Sequence, residues 1–387
     1  MKRPKVIIVT SLNLRALDLR HPDEERQRFA RFLLEHTRIG DLVYIAHPLP
    51  KTVNLSSVVV SVKNGVFRDS RVKRYNHDSA ASWLIDFVLT LLASASHSRS
   101  DFYIGIGSWF QTIPGLLLRR LRLVGTVVFW TTDFEPRQLK NGFTKSIYQF
   151  VDRMCAESAD YTISPTKALI DFRTACGYDI DRRNALVVPY CLDSSYIEFP
   201  PIEDVLPDSI VYLGAFAGQH GFEILLDAVP EILKVKPNLK VTVISYEYMP
   251  KVYSDEISNR GLESVFENLG YISDQDKLGN IIKRRRIGVA LYGSSFKRFN
   301  DPARTKNFLA KGVPVIVSGR LQINREIQEK MAGIVIPYEA KSLVEAVISL
   351  LDNEALYRKC RYNAYALAQK FACDGVFCDL TTRIGIK

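Results

Sequence analysis

Short apolar runs alternate along this chain with longer stretches whose apolar positions recur at helical spacing. The runs 6–9, 42–45, 58–60, 102–106, 124–130 and 161–163 read as strands, and 22–36, 79–95 and 143–159 as helices, with 12–21 as loop. In 22–36, Phe29, Phe32 and Leu33 form the inward face and acids fill the first turn. After a short run at 185–188, the stretch 191–207 is rich in proline and acids and loses all periodicity, which marks a linker. A second series follows, with strands at 210–214, 239–244, 266–270, 287–292, 313–317 and 333–336, and helices at 222–233, 342–351 and 354–371. Strands separated by helices build mostly parallel sheets covered on both faces. The expected class is therefore α/β: two doubly wound Rossmann-like domains facing a central cleft. The expected boundaries are 1–190, a linker at 191–207, and 208–387, with the last helix left open to cross back to the first domain.

The length of 387 residues suits two domains, and 47% hydrophobic residues are enough to fill their cores. Charge changes the picture more. Lys and Arg minus Asp and Glu gives 27 − 18 = +9 for residues 1–190 and 25 − 24 = +1 for the remainder, together the net +10. A basic first half fits an anionic partner, namely a membrane surface, a nucleic acid or a phosphorylated substrate, although a solvated basic face explains the charge as well. No nucleic-acid module accompanies it, so no nucleic acid is expected. The six cysteines show no Cys-x-x-Cys and no paired histidine spacing, and read as reduced thiols of a cytosolic protein. The run 6–9 is too short for a leader's apolar core, and Asp86 interrupts the apolar helix 83–95, which falls short of the ~20 residues that span a bilayer. A cytoplasmic protein is expected. Trp83, Leu84, Phe87 and Leu91, with the cluster Arg119, Arg120 and Arg122, add a peripheral contact with the inner face of an anionic membrane. The default role of that cluster, and of 283–286, is to complement helix ends.

Candidate chemistry gathers at 301–319. Asp301 and Pro302 open a helix, with Asp301 as its cap, Phe308 and Leu309 face inward, Gly312 stops it, and an apolar strand follows. Arg304 and Lys306 fall in the first turn, where the helix dipole disfavours cations, so they want an anion to hold. The turn 213–221 carries Gly214 and His220 between a strand and a helix, a geometry that lets backbone amides approach phosphate. At strand ends in the first half lie Ser108, Trp109 and Gln111, and Asp133, Glu135 and Arg137. A carboxylate there orients an acceptor hydroxyl or takes its proton, and Arg137 holds an anion.

The segment Asp301-Pro302-Ala303-Arg304-Thr305-Lys306-Asn307-Phe308-Leu309-Ala310-Lys311-Gly312-Val313-Pro314-Val315-Ile316 resembles the donor-domain signature of GT-B glycosyltransferases, in the large retaining, nucleotide-sugar-dependent group (family 4, or group 1). Many members carry two Glu eight positions apart where this chain has Phe299 and Asn307, and an Arg and a Lys where it has Ala215 and His220. The resemblance implies an enzyme, a glycosyltransferase of hexosyltransferase type, that moves sugar to a glycan or lipid-linked acceptor in polysaccharide or glycolipid synthesis. It implies no metal and no cofactor beyond the nucleotide sugar. Gly214, His220, Asp301, Arg304, Lys306 and Asn307 would bind the donor, Ser108, Trp109, Gln111 and Asp133 would line the acceptor side, and Asp133, Arg137, His220 and Arg304 would carry the chemistry. A nucleotide-sugar epimerase of the same fold and a non-catalytic nucleotide-sugar-binding scaffold stand as alternatives.

Overall fold

The structure is a computed structural model that describes residues 3–12, 19, 24–48, 56–73, 80–96, 99–132, 134, 142–216, 218–245, 247–293 and 299–387. The chain divides into two compact units, Met1–Pro189 with Val376–Lys387, and Tyr190–Gly375.

The first unit runs β1 (Lys5–Leu12), α1 (Glu25–His36), β2 (Asp41–Pro48), β3 (Ser56–Lys63), β4 (Val66–Lys73), α2 (Ala80–Ala95), β5 (Ser100–Gly107), α3 (Trp109–Arg120), β6 (Val124–Thr131), α4 (Gly142–Ser158), β7 (Tyr161–Ser164), α5 (Lys167–Ala175) and β8 (Ala185–Val187). Its sheet has the order β4-β3-β2-β1-β5-β6-β7-β8. Strand β3 pairs antiparallel with both β2 and β4, and the other neighbours pair parallel. Ile7, Ile8, Tyr44, Ile45, Tyr103, Ile104, Val127 and Val128 are wholly buried, as expected of central parallel strands covered on both faces. The chain leaves β1 towards β2 on one side, and leaves β5 towards β6 on the other. The winding therefore reverses between β1 and β5, and a doubly wound sheet places ligands at the strand C-termini of that reversal.

Two local features break the apolar-in rule. Arg173 and Asp152 are both buried and meet in a two-pronged pair at 2.8 and 3.0 Å, which ties α5 to α4. Helix α2 is turned inside out. Ser82, Asp86, Thr90 and Ser94, four residues apart, face inward, while Trp83, Leu84, Ile85, Val88 and Leu92 face solvent, Leu92 being 65% exposed. Asp86 and Thr90 of that row are satisfied by a buried network in which the Ser57 hydroxyl donates to Asp86 at 2.8 Å and His47 contacts Ser57 and Thr90 at 3.0 and 2.8 Å, whereas the Ser94 hydroxyl makes no hydrogen bond among the described residues.

The second unit continues with β9 (Leu206–Leu213), α6 (Phe222–Leu233), β10 (Lys240–Ile244), α7 (Lys251–Asn259), β11 (Phe266–Gly270), α8 (Gln275–Ile282), β12 (Arg285–Ala290), α9 (Ala303–Ala310), β13 (Val315–Ser318), α10 (Gln322–Lys330), β14 (Gly333–Ile336), α11 (Ala340–Asp352) and α12 (Glu354–Ala368). Its sheet is wholly parallel, in the order β11-β10-β9-β12-β13-β14. Alternate residues join different apolar clusters: Ile210, Tyr212, Ile287 and Val289 one, Val211, Ala290, Val315 and Val317 the other. Period-two alternation puts these clusters on opposite faces of the sheet. Here the winding reverses between β9 and β12. Helix α13 (Cys373–Ile384) follows, and its Phe377 packs in the first unit against Phe29 and Phe32 at 5.1 and 5.6 Å.

Several sequence expectations are corrected. Residues 191–207, read as a linker, lie within the second unit: Leu192 bridges Ala372 in parallel fashion, and Glu198 pairs with Lys283 and Lys311 at 3.2 and 3.1 Å. The cysteines are not all reduced. Cys191 and Cys373, 182 residues apart, form a disulfide with Cα atoms at 5.0 Å, because the Leu192–Ala372 bridge sets them side by side, a proximity that spacing in sequence hides. Arg285 and Arg286 open β12 and do not cap a helix, and they pair with Glu267 and Glu354 at 3.4 and 2.8 Å.

Candidate active site

The second unit builds its site where β9 and β12 end. Arg304, the second residue of α9, reaches across both. Its Nε donates to the Tyr292 hydroxyl at 2.8 Å, Nη2 to the Leu291 carbonyl at 3.0 Å and Nη1 to the Leu213 carbonyl at 3.4 Å, with the guanidinium 4.1 Å over the Tyr292 ring. All three acceptors are neutral, and among the described residues no carboxylate pairs with Arg304. Its place is opened by Gly214, at the end of β9, where a Cβ would overlap the guanidinium. A positive charge is thus held rigidly in a first helical turn with its full charge left to offer.

The loop after β9 closes around that charge. The buried Tyr212 hydroxyl donates to the Ala215 carbonyl at 2.6 Å and has the His220 carbonyl 3.2 Å away, so it draws both ends of the turn together. The Glu247 carboxylate accepts from the Phe216 amide at 3.0 Å. Gly221 caps α6 at φ +77°, where a side chain would be strained and would also run into Leu291. The first-turn amides of α6 then stand at the edge that carries Arg304, an arrangement suited to a diphosphate.

His220 sits beside this charge. Burial, and next the Arg304 charge, push its pKa down to about 4, so it is neutral at physiological pH and offers a hydrogen bond where the sequence also allowed a cation. The folded-state pKa lies below the ordinary value of 6.5. The stability this contributes is therefore complete above about pH 6.5 and is lost as the pH falls towards 4. Melting temperature measured from pH 7 to 4 is expected to fall more steeply for the wild type than for His220→Gln.

Two of the predicted donor residues are engaged elsewhere. Lys306 is wholly buried, its ammonium donating to the Asp301 carboxylate at 2.6 Å and to the Tyr190 carbonyl at 2.7 Å, 4.1 Å from the Phe371 ring centre. Asp301 also accepts from the Tyr190 amide at 2.7 Å. Asp301 makes no cap for α9, whose N-cap is Pro302. The pair fixes the point at which the chain enters the second unit and presents no charge to a ligand. Asn307 stays half-buried in α9, its amide making no hydrogen bond among the described residues. Tyr212, Tyr292 and Glu247, which hold the site in shape, carry no signal in sequence spacing.

In the first unit, Ser108 and Gln111 of the predicted acceptor-side residues lie at the β1/β5 reversal. Ser108 caps α3 in a reciprocal capping box with Gln111. Gln111 accepts from the Ser108 amide and hydroxyl at 2.9 and 2.8 Å and donates to the Ser11 hydroxyl at 2.6 Å, so it links the ends of β5 and β1. Trp109 turns to the core, 6.5 Å from Tyr148. Asp133, Glu135 and Arg137 lie outside the described residues. Sequence reading missed Arg26 of α1, whose guanidinium donates to the Ser11 carbonyl and, at 3.4 and 3.5 Å, to the hydroxyls of Thr10 and Thr132.

Known proteins agree with this architecture. The sequence profile of the family described as "Glycosyl transferases group 1" matches residues 202–367. Among solved structures, HepE of Anabaena in complex with UDP superposes with a TM-score of 0.70 at 12% identity over 100% of both chains. Sucrose-phosphate synthase of Thermosynechococcus elongatus gives 0.70 at 14% identity over 98% of both. The pneumococcal O-GlcNAc transferase GtfA, in complex with UDP and GlcNAc, gives 0.60 at 13% identity over 86% of this chain and 70% of that one. No curated protein matches the chain. A group 1 glycosyltransferase domain thus spans the very unit that holds Arg304 and the glycine loop, in a chain of GT-B fold.

Proposed function

We propose that the second unit binds a nucleotide diphosphate sugar and that the first unit binds the acceptor, a glycan or a lipid-linked saccharide of a cell-surface polymer. The observation that carries the donor half is Arg304, a rigid cation that pairs with no carboxylate among the described residues, at the β9/β12 reversal beside the α6 N-terminus. UDP-sugars are the first donors to test, because HepE and GtfA were both crystallised with UDP. In the reaction the bond from the anomeric carbon to the β-phosphate oxygen breaks, a bond to the acceptor hydroxyl oxygen forms, and the hydroxyl proton leaves with the diphosphate. Delivery from the face the diphosphate leaves retains configuration. Arg304 and the α6 amides meet the charge that develops on the leaving group, neutral His220 adds a hydrogen bond, and no metal is needed in this scheme. Nucleotide release from UDP-glucose and UDP-GlcNAc, with and without saccharide acceptors, tests it. Release that rises with acceptor supports the reading, and release indifferent to every acceptor contradicts it.

No helix among the described residues is long and apolar enough to cross a membrane. The outward apolar row of α2 supports a peripheral contact instead, with the cytoplasmic face of an anionic bilayer as its occupant. Trp83 packs on Phe110 of α3 at 5.1 Å, and the end of α3 adds exposed Leu117, Leu121, Arg120 and Arg122, so apolar and cationic groups share one surface. Each buried leucine is worth about 1.5–3 kcal/mol. The double variant Leu84→Glu, Leu92→Glu is expected to lose at least about tenfold in sedimentation with phosphatidylserine-containing vesicles. Equal sedimentation of variant and wild type contradicts the contact.

A further inference from the structure

We propose that Arg26 forms an oxyanion site in the first unit, so that the acceptor carries a negatively charged group, a carboxylate or a phosphate, close to its reacting hydroxyl. The proposal rests on the acceptor half of the function above and names the chemical class of that acceptor.

The Arg26 charge sits at the second residue of α1, where the helix dipole opposes a cation. Among the described residues no carboxylate lies at ion-pair distance from it. Of its three contacts, those to the Thr10 and Thr132 hydroxyls, at 3.4 and 3.5 Å, are at the limit of a hydrogen bond, so only the Ser11 carbonyl is a firm partner for a group with five N–H donors. A half-buried arginine that meets no carboxylate among the described residues costs stability unless something else supplies the charge.

The surroundings supply the remainder of a site. Arg26 spans from the end of β1 to the residue after β6, beside the reversal at which a doubly wound sheet receives ligands. The Ser11, Ser108 and Thr132 hydroxyls lie at the same edge, with α3 presenting its N-terminus there through the Ser108 cap. The Tyr44 hydroxyl, on the neighbouring strand, is wholly buried, which raises its pKa, feels the charges of both Arg26 and Glu24, and makes no hydrogen bond among the described residues. An arginine fork flanked by hydroxyls and helix amides recognises a planar carboxylate or a phosphate and gains little from a neutral sugar. Arg304 is the counterpart in the second unit, equally held on neutral oxygens at its own sheet's reversal.

The test keeps the two anion sites apart. Saturating UDP is added first, so that any second-unit site is filled, and inorganic phosphate is then titrated calorimetrically into the full chain. A further saturable phosphate site is expected in the wild type and is expected to be lost in Arg26→Gln. Turnover of the UDP-sugar is then compared with octyl glucoside, octyl glucuronide and octyl glucoside 6-phosphate as acceptors. One of the charged acceptors should exceed the neutral one, the uronide or the phosphate identifying the anion. In Arg26→Gln the charged-to-neutral ratio of kcat/KM should fall roughly tenfold to a hundredfold, with Arg26→Lys intermediate. Phosphate binding that survives Arg26→Gln, or a neutral acceptor as good as both charged ones, overturns the proposal. If Arg26→Gln does not fold, the wild-type acceptor comparison decides alone. Failure of UDP to bind at all instead overturns the donor reading, and is seen in the first step.

Discussion

Arg304→Ala is expected to lower kcat about 10²–10³-fold, the loss typical of removing one preorganised donor at a developing charge. The expectation follows from the geometry. The guanidinium is fixed by Tyr292, Leu291 and Leu213 before any ligand arrives, so none of its stabilisation is spent on ordering. Arg304→Lys keeps the charge and loses the fork and the stacking on Tyr292, and should recover only part of the activity. Gly214→Ala leaves Arg304 in the sequence and places a methyl group where the guanidinium lies, so it should resemble Arg304→Ala in kcat. An active Gly214→Ala enzyme would show that the placement of Arg304 is not what matters.

Lys306→Met is expected to fail in a different way. It leaves the Asp301 carboxylate buried without its cation, and the Tyr190 carbonyl without a donor, at a cost of about 3–5 kcal/mol. For a unit of this size that lowers the melting temperature by roughly 6–20 °C. Asp301→Ala should do the same, since it strands the ammonium instead, and the double replacement should cost less than the two single ones together, because neither charge is then left alone. A Lys306→Met protein that melts like the wild type and binds nucleotide weakly would return Lys306 to the ligand.

These two neighbouring cations show how far a sequence can be read. The pattern of 301–317 was sufficient to find the helix, its stop at Gly312 and the strand beyond, since apolar spacing and a left-handed glycine at φ +61° are local properties. It could not separate Arg304 from Lys306, because which cation faces a ligand depends on Tyr190 and Asp301 closing over one and on Gly214 making room for the other. Arg26 was hidden for the same reason: an arginine among first-turn acids reads as ordinary surface until Thr10, Ser11 and Thr132 are seen to converge on it. Strand β4 escaped because Arg68, Asp69, Ser70 and Arg71 give an exposed edge no apolar alternation. Helix α2 was found by its apolar content, which in most proteins points inward. Its inversion comes from Asp86, Thr90 and Ser57 meeting His47, contacts that no periodicity contains.

The most direct test of the account is a calorimetric titration of UDP into the wild type and Arg304→Ala, with melting curves confirming that both are folded. The account predicts saturable binding to the wild type and an affinity weaker by roughly tenfold to a hundredfold in the variant, the worth of one charge-assisted contact to phosphate. Equal affinity in the two proteins would contradict it, because a diphosphate would then be held without the cation that the β9/β12 reversal is built to present.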